Sequence, residues 1–131
     1  MILTKDQILE ASDLKSEGVD VPEWGGSVLV RTMTGADRDA FEESMITVLP
    51  NGMMTSKISK MRAKLVALTV VDEAGNRVFD ISDIDRLALK SAAALERVSD
   101  VAHRLNGMGP AAEAEAVKNS VADLSASSTS A

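Results

Sequence analysis

The chain has one histidine, His103, and no cysteine. Any metal centre would therefore have to combine His103 with carboxylates. Asp100 and Glu96 precede it by three and seven residues, which places all three on one polar helix face, away from Leu95, Val98 and Leu105. A hydrated imidazole near a helix C-terminus, where positive charge is favoured, accounts for His103 without a metal. Paired acids stand at Glu42-Glu43 and Asp83/Asp85. General acid–base chemistry needs two carboxyls in unlike environments within a cleft. These pairs fall in helix first turns or on polar faces, where capping and hydration explain them. Gly25-Gly26 has neither the lysine nor the spacing of a phosphate loop, and no nucleophile stands beside a base. The residue types point to no enzyme, no metal and no cofactor.

Binding is the chemistry that remains. Trp24 is the single tryptophan in a chain with two phenylalanines and no tyrosine, and it stands in VPEWGG, residues 21–26. An indole there either covers one end of a small aliphatic core, with its N–H on backbone, or anchors a partner. Five of the seven methionines lie between residues 33 and 61. Met45 and Met61 read as core filler. Met53-Met54 read as a loop pair that either anchors the loop or offers a flexible, polarizable surface to apolar segments. Lys57, Lys60 and Lys64, at i, i+3 and i+7, would line one helix face. That face is either simply solvated or a contact for an acidic partner or another copy of the chain. The candidate protein-binding residues are Trp24, Met53, Met54, Lys57 and Met61.

These side chains need elements to hold them. Thr4 with Gln7 forms a capping-box pattern for a short first helix that points Ile8 and Leu9 inward and fades by Asp13. Val19/Val21 and Val28/Val30 alternate on either side of Pro22 to Gly26, which predicts an antiparallel hairpin. Thr34 caps a helix with Phe41, Met45, Val48 and Leu49 on one face, stopped by Pro50-Asn51-Gly52. Ser56 then opens a helix with Ile58, Met61, Leu65 and Leu68 inward, ending near Val71. A turn at DEAGN leads to an extended piece at Arg77 to Phe79. Ser82 to Asp85 caps a helix carrying Ile84, Leu87 and Ala88. Leu95, Val98, Ala102 and Leu105 stripe the clearest helix, stopped by Asn106-Gly107.

The fold class expected is α+β: one predominantly helical domain over residues 1–110, with a small antiparallel hairpin near the N-terminus. Residues 111–131 read as a weakly helical to disordered Ala/Ser-rich tail. At 131 residues a single modest core fits, and with aromatics at 2% it must be aliphatic. Net charge is −6, and residues 1–55 alone carry 4 basic and 10 acidic groups. That balance lacks the basic face duplex nucleic acid requires. No stretch has the pattern of a signal peptide or the length of a membrane span, so a cytosolic setting is expected.

Four segments taken together carry a family likeness. They are ILTKDQILEASDL (residues 2–14), VPEWGGSVLVRTMTGADRDAFE (21–42), RAKLVALTVVDEAGNRVF (62–79) and KSAAALERVSDVAHRLNG (90–107). In combination the chain resembles the tail assembly chaperones of long-tailed, siphovirus-type bacteriophages and prophages. PEWGG followed by VLVRTMTGADRDAFE is the most specific part.

The resemblance implies a non-enzymatic factor in the bacterial host cytoplasm. It would bind the tape-measure protein, keep it soluble, help recruit the major tail (tube) protein, and be absent from the mature virion. A homo-oligomer is compatible with it. It implies no catalytic residues. Such proteins are often made in two forms by frameshifting, and a chain ending in a Ser/Ala tail would be the shorter one. The competing expectation is a small structural virion protein, such as a head–tail connector or tail completion subunit. A small regulator of host proteins is a third.

Overall fold

Alternating valines and a Pro/Gly-bounded turn make the first sheet. In the computed structural model, which describes residues 1–108, strands β1 (Ser16–Val21) and β2 (Gly26–Arg31) pair antiparallel from Ser16↔Arg31 to Val21↔Gly26. Between them Pro22–Trp24 form one 3-10 turn. Gly25 ends it at φ +76°, with its N–H donating to the Pro22 carbonyl at 3.0 Å. Proline presets the turn's entry and glycine takes the left-handed exit that a side chain would resist. The hairpin is where the alternation predicts it.

The sheet gains a strand from an unexpected place. Helix α3 (Met61–Thr69) runs straight into β5 (Val70–Val71), which pairs antiparallel with β2 at Leu29↔Val71 and Val30↔Val70. The expected helix thus stops two residues early, where the β-branched run Thr69-Val70-Val71 favours extended backbone. Asp72 then folds the chain back. Its carboxylate accepts from the Ala74 and Asn76 N–H groups, and Gly75 sits at φ +87°. Arg77 consequently returns beside Val71.

The polar/apolar stripe of residues 92–105 becomes helix α5 (Ala92–Leu105), capped by Ser91, whose hydroxyl accepts from the Ala94 N–H. Leu95, Val98 and Ala102 are buried and Leu105 packs at the margin, as the spacing predicts. α5 lies across β1 and β2 and beside α3, so Val19, Val21, Val30, Leu65, Val66 and Val98 share one core. Each such side chain contributes roughly 1.5–3 kcal/mol by leaving water. Two pairs fix the direction of α5. Arg97 Nε donates to both Glu23 carboxylate oxygens at 2.8 and 3.0 Å, near the turn. Arg104 meets Glu17 near the start of β1, so α5 runs antiparallel to β1.

Asn106 locks the far end. Its amide Nδ2 donates to the Ala102 carbonyl and its Oδ1 accepts from the Met33 N–H, both at 2.7 Å. Its own carbonyl accepts from Arg38 at 2.7 Å. One residue joins the end of α5, the exit of β2 and helix α2 (Gly35–Ser44).

Four expectations need correction. Helix α1 (Lys5–Glu10) forms with the Thr4/Gln7 capping box, yet Ile8 and Leu9 are 56% and 73% exposed, since no element among the described residues packs over them. Helix α2 has its Thr34 cap and buries Phe41, but it ends at Ser44. Ile46–Val48 is a strand, β3, paired antiparallel with β4 (Met54–Ser56). The β-branched run Ile46-Thr47-Val48 and the Asn51-Gly52 turn, with Gly52 at φ +84°, make a second hairpin where a helix through Leu49 is expected. Ser56 therefore closes β4 and opens no helix, and Ile58 is 70% exposed, not inward. α3 starts only after Lys60, held at φ +57°. Consequently Lys57, Lys60 and Lys64 share no helix face. Finally, the N-cap of helix α4 (Ile84–Leu87) is Asp83, not Ser82. Asp80 and Asp83 close a capping box around a 3-10 turn at Ile81–Asp83. Leu87 is buried, with Ile84 and Ala88 packed beside it as expected.

The architecture is α+β: a three-stranded antiparallel sheet in the order β1-β2-β5, helices on its core face, and a separate two-stranded hairpin. The expected tail of residues 111–131 lies outside the described residues.

Candidate partner-binding surface

Besides α1, two apolar surfaces stay open to solvent among the described residues. The first is the β3–β4 hairpin, in which no residue is buried. Ile46, Val48 and Leu49 on one arm and Met53 and Met54 on the other are exposed, the two methionines at 64% and 70%. The Leu49 N–H donates to the Met53 carbonyl at 2.7 Å and the Lys57 N–H to the Met45 carbonyl at 2.6 Å, which closes the hairpin at tip and base. Backbone pairing thus holds the apolar side chains out. Lys57 follows β4 directly and is exposed, and Met61 is half-buried against the core at the start of α3.

The second surface surrounds Trp24. The indole is half-buried and packs on the core. It also lines a cavity of about 410 Å³ with Glu23, Phe79, Leu87 and Lys90. A neighbouring cavity of about 520 Å³ shares Phe79, Leu87 and Lys90 and adds Val78 and Leu89. Val78, Leu89 and nearby Ile81 are exposed. Met53, Met54 and Lys57 are therefore grouped on one hairpin with Met61 beyond its base, whereas Trp24 belongs to another cavity. Ile46, Val48, Ile58, Val78, Ile81 and Leu89 escape the sequence reading. The first two carried a strand signal in their β-branched run; the last three come from separate turns and show no common spacing.

The acids Asp85, Asp83 and Glu42 are used structurally. Asp85 accepts from the Lys60 ammonium at 2.5 Å, and that hydrogen bond, then the ammonium charge itself, holds its carboxyl below the ordinary aspartate value. Asp83 accepts from the Asp80 N–H at 2.9 Å, and Glu42 pairs with Arg38 one helical turn away. His103 is half-exposed in the last turn of α5. Among the described residues no three His, Cys, Asp or Glu side chains are grouped so as to hold a metal, and no helix is long and apolar enough to cross a membrane.

Fold and surface together define a small α+β protein whose distinctive exposed feature is apolar contact area. A family model described as phage tail assembly chaperone matches residues 4–119, and the chain belongs to that family. A solved structure, that of the bacteriophage HK97 tail assembly chaperone, is similar in fold with a TM-score of 0.55 and 18% identity. The match covers 80% of this chain and 95% of that one. Comparison with curated proteins gave no match.

Proposed function

We propose that this tail assembly chaperone acts without catalysis. It binds the tape-measure protein in the host cytoplasm, keeps it soluble, and helps bring tail-tube subunits to it, without remaining in the mature virion. The observation that carries this reading is the β3–β4 hairpin, a backbone-paired platform that exposes Ile46, Val48, Met53 and Met54. A long helical client with an apolar stripe needs an adaptable apolar counter-surface, and unbranched methionine repacks at little cost. Lys57 and Met61 border that contact, and the Trp24 cavity receives a second part of a client.

The test is replacement of Met53 and Met54 by Ser in a chain co-expressed with the tape-measure protein. Recovery of the client with the purified variant should drop at least tenfold while the circular dichroism spectrum stays unchanged. Undiminished recovery would remove the hairpin from the contact. Mass spectrometry of purified particles checks the wider reading, because stoichiometric copies in the virion would make the protein a structural subunit instead.

A further inference from the structure

Lys60 goes against three local preferences at once. Among the described residues it is the one non-glycine with a positive φ, +57°, a region that strains most side chains and that glycine or asparagine takes readily. It is also the N-cap of α3, yet its side chain makes no capping hydrogen bond, at a position that favours Ser, Thr, Asp or Asn. Its positive charge, moreover, stands at the positive end of the helix. Strain of this kind persists only where surrounding contacts hold it, and it gathers at positions with a task.

What lysine provides here is a long cationic reach. Its ammonium extends to Asp85 on α4, with Nζ and Oδ1 at 2.5 Å. An exposed pair of this sort adds little to global stability, so stability does not account for the residue. Its place in the chain does. The Met61 N–H donates to the Ile58 carbonyl at 3.2 Å, which closes a turn between β4 and α3 with Lys60 as its third residue. The pair with Asp85 therefore ties to α4 the arm by which the chain leaves the hairpin. Lys64, one turn further along α3, reaches the other arm. It is half-buried, and its ammonium donates to the Ser44 carbonyl at 3.3 Å, where α2 gives way to β3.

On the reading of the β3–β4 hairpin as the client-binding surface, we propose that Lys60 and Lys64 are positioning residues that clamp its two arms and set the direction in which it leaves the core. Neither ammonium touches the client. The clamp presents Met53 and Met54 in one direction, so that less freedom is lost when the client arrives.

The chain has no cysteine. Thr55→Cys on β4 and Glu96→Cys on α5, both exposed positions, therefore accept a pair of spin labels in the full chain, diluted with unlabelled chain. Without client, double electron–electron resonance of this parent should give one narrow distance distribution. Lys60→Asn removes the ammonium with a residue that suits both the left-handed region and the N-cap. Its unfolding midpoint should equal or exceed the parent's. Its distance distribution should nevertheless widen at least twofold, and recovery of the co-expressed tape-measure protein should drop at least threefold. A residue that served stability alone would not give that combination. Lys60→Arg, which keeps the cation, should restore both readouts. Lys64→Met keeps the aliphatic stem and should also widen the distribution, and the two changes together should widen it further.

A parent-like distribution in the chain carrying both Lys60→Asn and Lys64→Met would overturn the clamp. A widened distribution with undiminished client recovery would overturn its part in capture. The distances are measured without client and with Met53 and Met54 intact, so a failed clamp is told apart from a failed hairpin reading, which the Met53 and Met54 replacements decide.

Discussion

The described residues contain two antiparallel hairpins with opposite fates. β1–β2 has six-residue strands, acquires β5 as a third strand and is roofed by α5, so that Val19, Val21 and Val30 leave water. β3–β4 has three-residue strands, no third strand and no buried residue. Both are built from β-branched residues around a glycine turn. The difference lies in what reaches each from elsewhere in the chain, since a lone two-stranded hairpin is marginal in water without a packed face. One hairpin is scaffold. The other is surface, held in place by its attachments to α2 and α3 rather than by its own burial.

The largest expected effect is a matched pair of charge insertions. Val30→Asp puts an unpaired carboxylate into the core and should cost more than about 4 kcal/mol, enough to unfold the domain in a denaturant titration. Val48→Asp should change global stability by no more than about 0.5 kcal/mol. A large loss at Val48 would mean that the second hairpin is part of the cooperative core.

Next, the roof over the first hairpin depends on its lock. Asn106→Ala removes the acceptor of the Met33 N–H and the donor to Ala102. About 1–3 kcal/mol of global stability should disappear, read from the shift of the unfolding midpoint. Hydrogen exchange of β3–β4 amides should barely respond.

The glycine turns give a finer contrast. An added Cβ meets nothing within 4 Å at Gly25 or Gly52, so Gly→Ala at either isolates backbone strain of about 1–2 kcal/mol. Gly25→Ala should lower the melting temperature of the whole domain. Gly52→Ala should leave it in place and instead speed β3–β4 amide exchange by on the order of tenfold, through local opening.

The smallest effect is one of pH. Lys60, just beyond the second hairpin, lowers the Asp85 pKa, so the pair stabilises the fold at pH values above the ordinary aspartate range. That contribution is lost as pH falls through the lowered value, below about pH 4. Asp85→Asn should lose that small contribution at neutral pH and match the parent chain in acid, which flattens the acid limb of stability.

The same comparison explains what the sequence made legible. The first hairpin and α5 were readable because local pattern and tertiary need agree: alternating valines meet a real core, and the Leu95/Val98/Ala102 stripe meets the sheet. At the second hairpin they conflict. Phe41, Met45, Val48 and Leu49 happen to fall at helical spacing, which conceals the β-branched run Ile46-Thr47-Val48, and only Phe41 is buried. α1 shows the reverse failure. Its helix was legible from Thr4 and Gln7, but no local signal states whether a partner for Ile8 and Leu9 lies within the same chain. At the candidate surface, the clustering of Met53 and Met54 was visible in sequence. Val78 and Leu89 were not, because tertiary structure brings the stretches 78–79 and 87–90 to one cavity.

The Asn106 lock has a consequence for how the protein is made. It binds Met33 across 73 positions of sequence, and α5 is the last of the described helices to leave the ribosome. Until residue 106 emerges, Val19, Val21 and Val30 have no roof, and the sheet that will form the core is an open apolar face. Long-range closure of this kind is slow relative to local helix formation. A nascent chain therefore passes through a stage in which it exposes the kind of surface that, once folded, it is proposed to cover on its client.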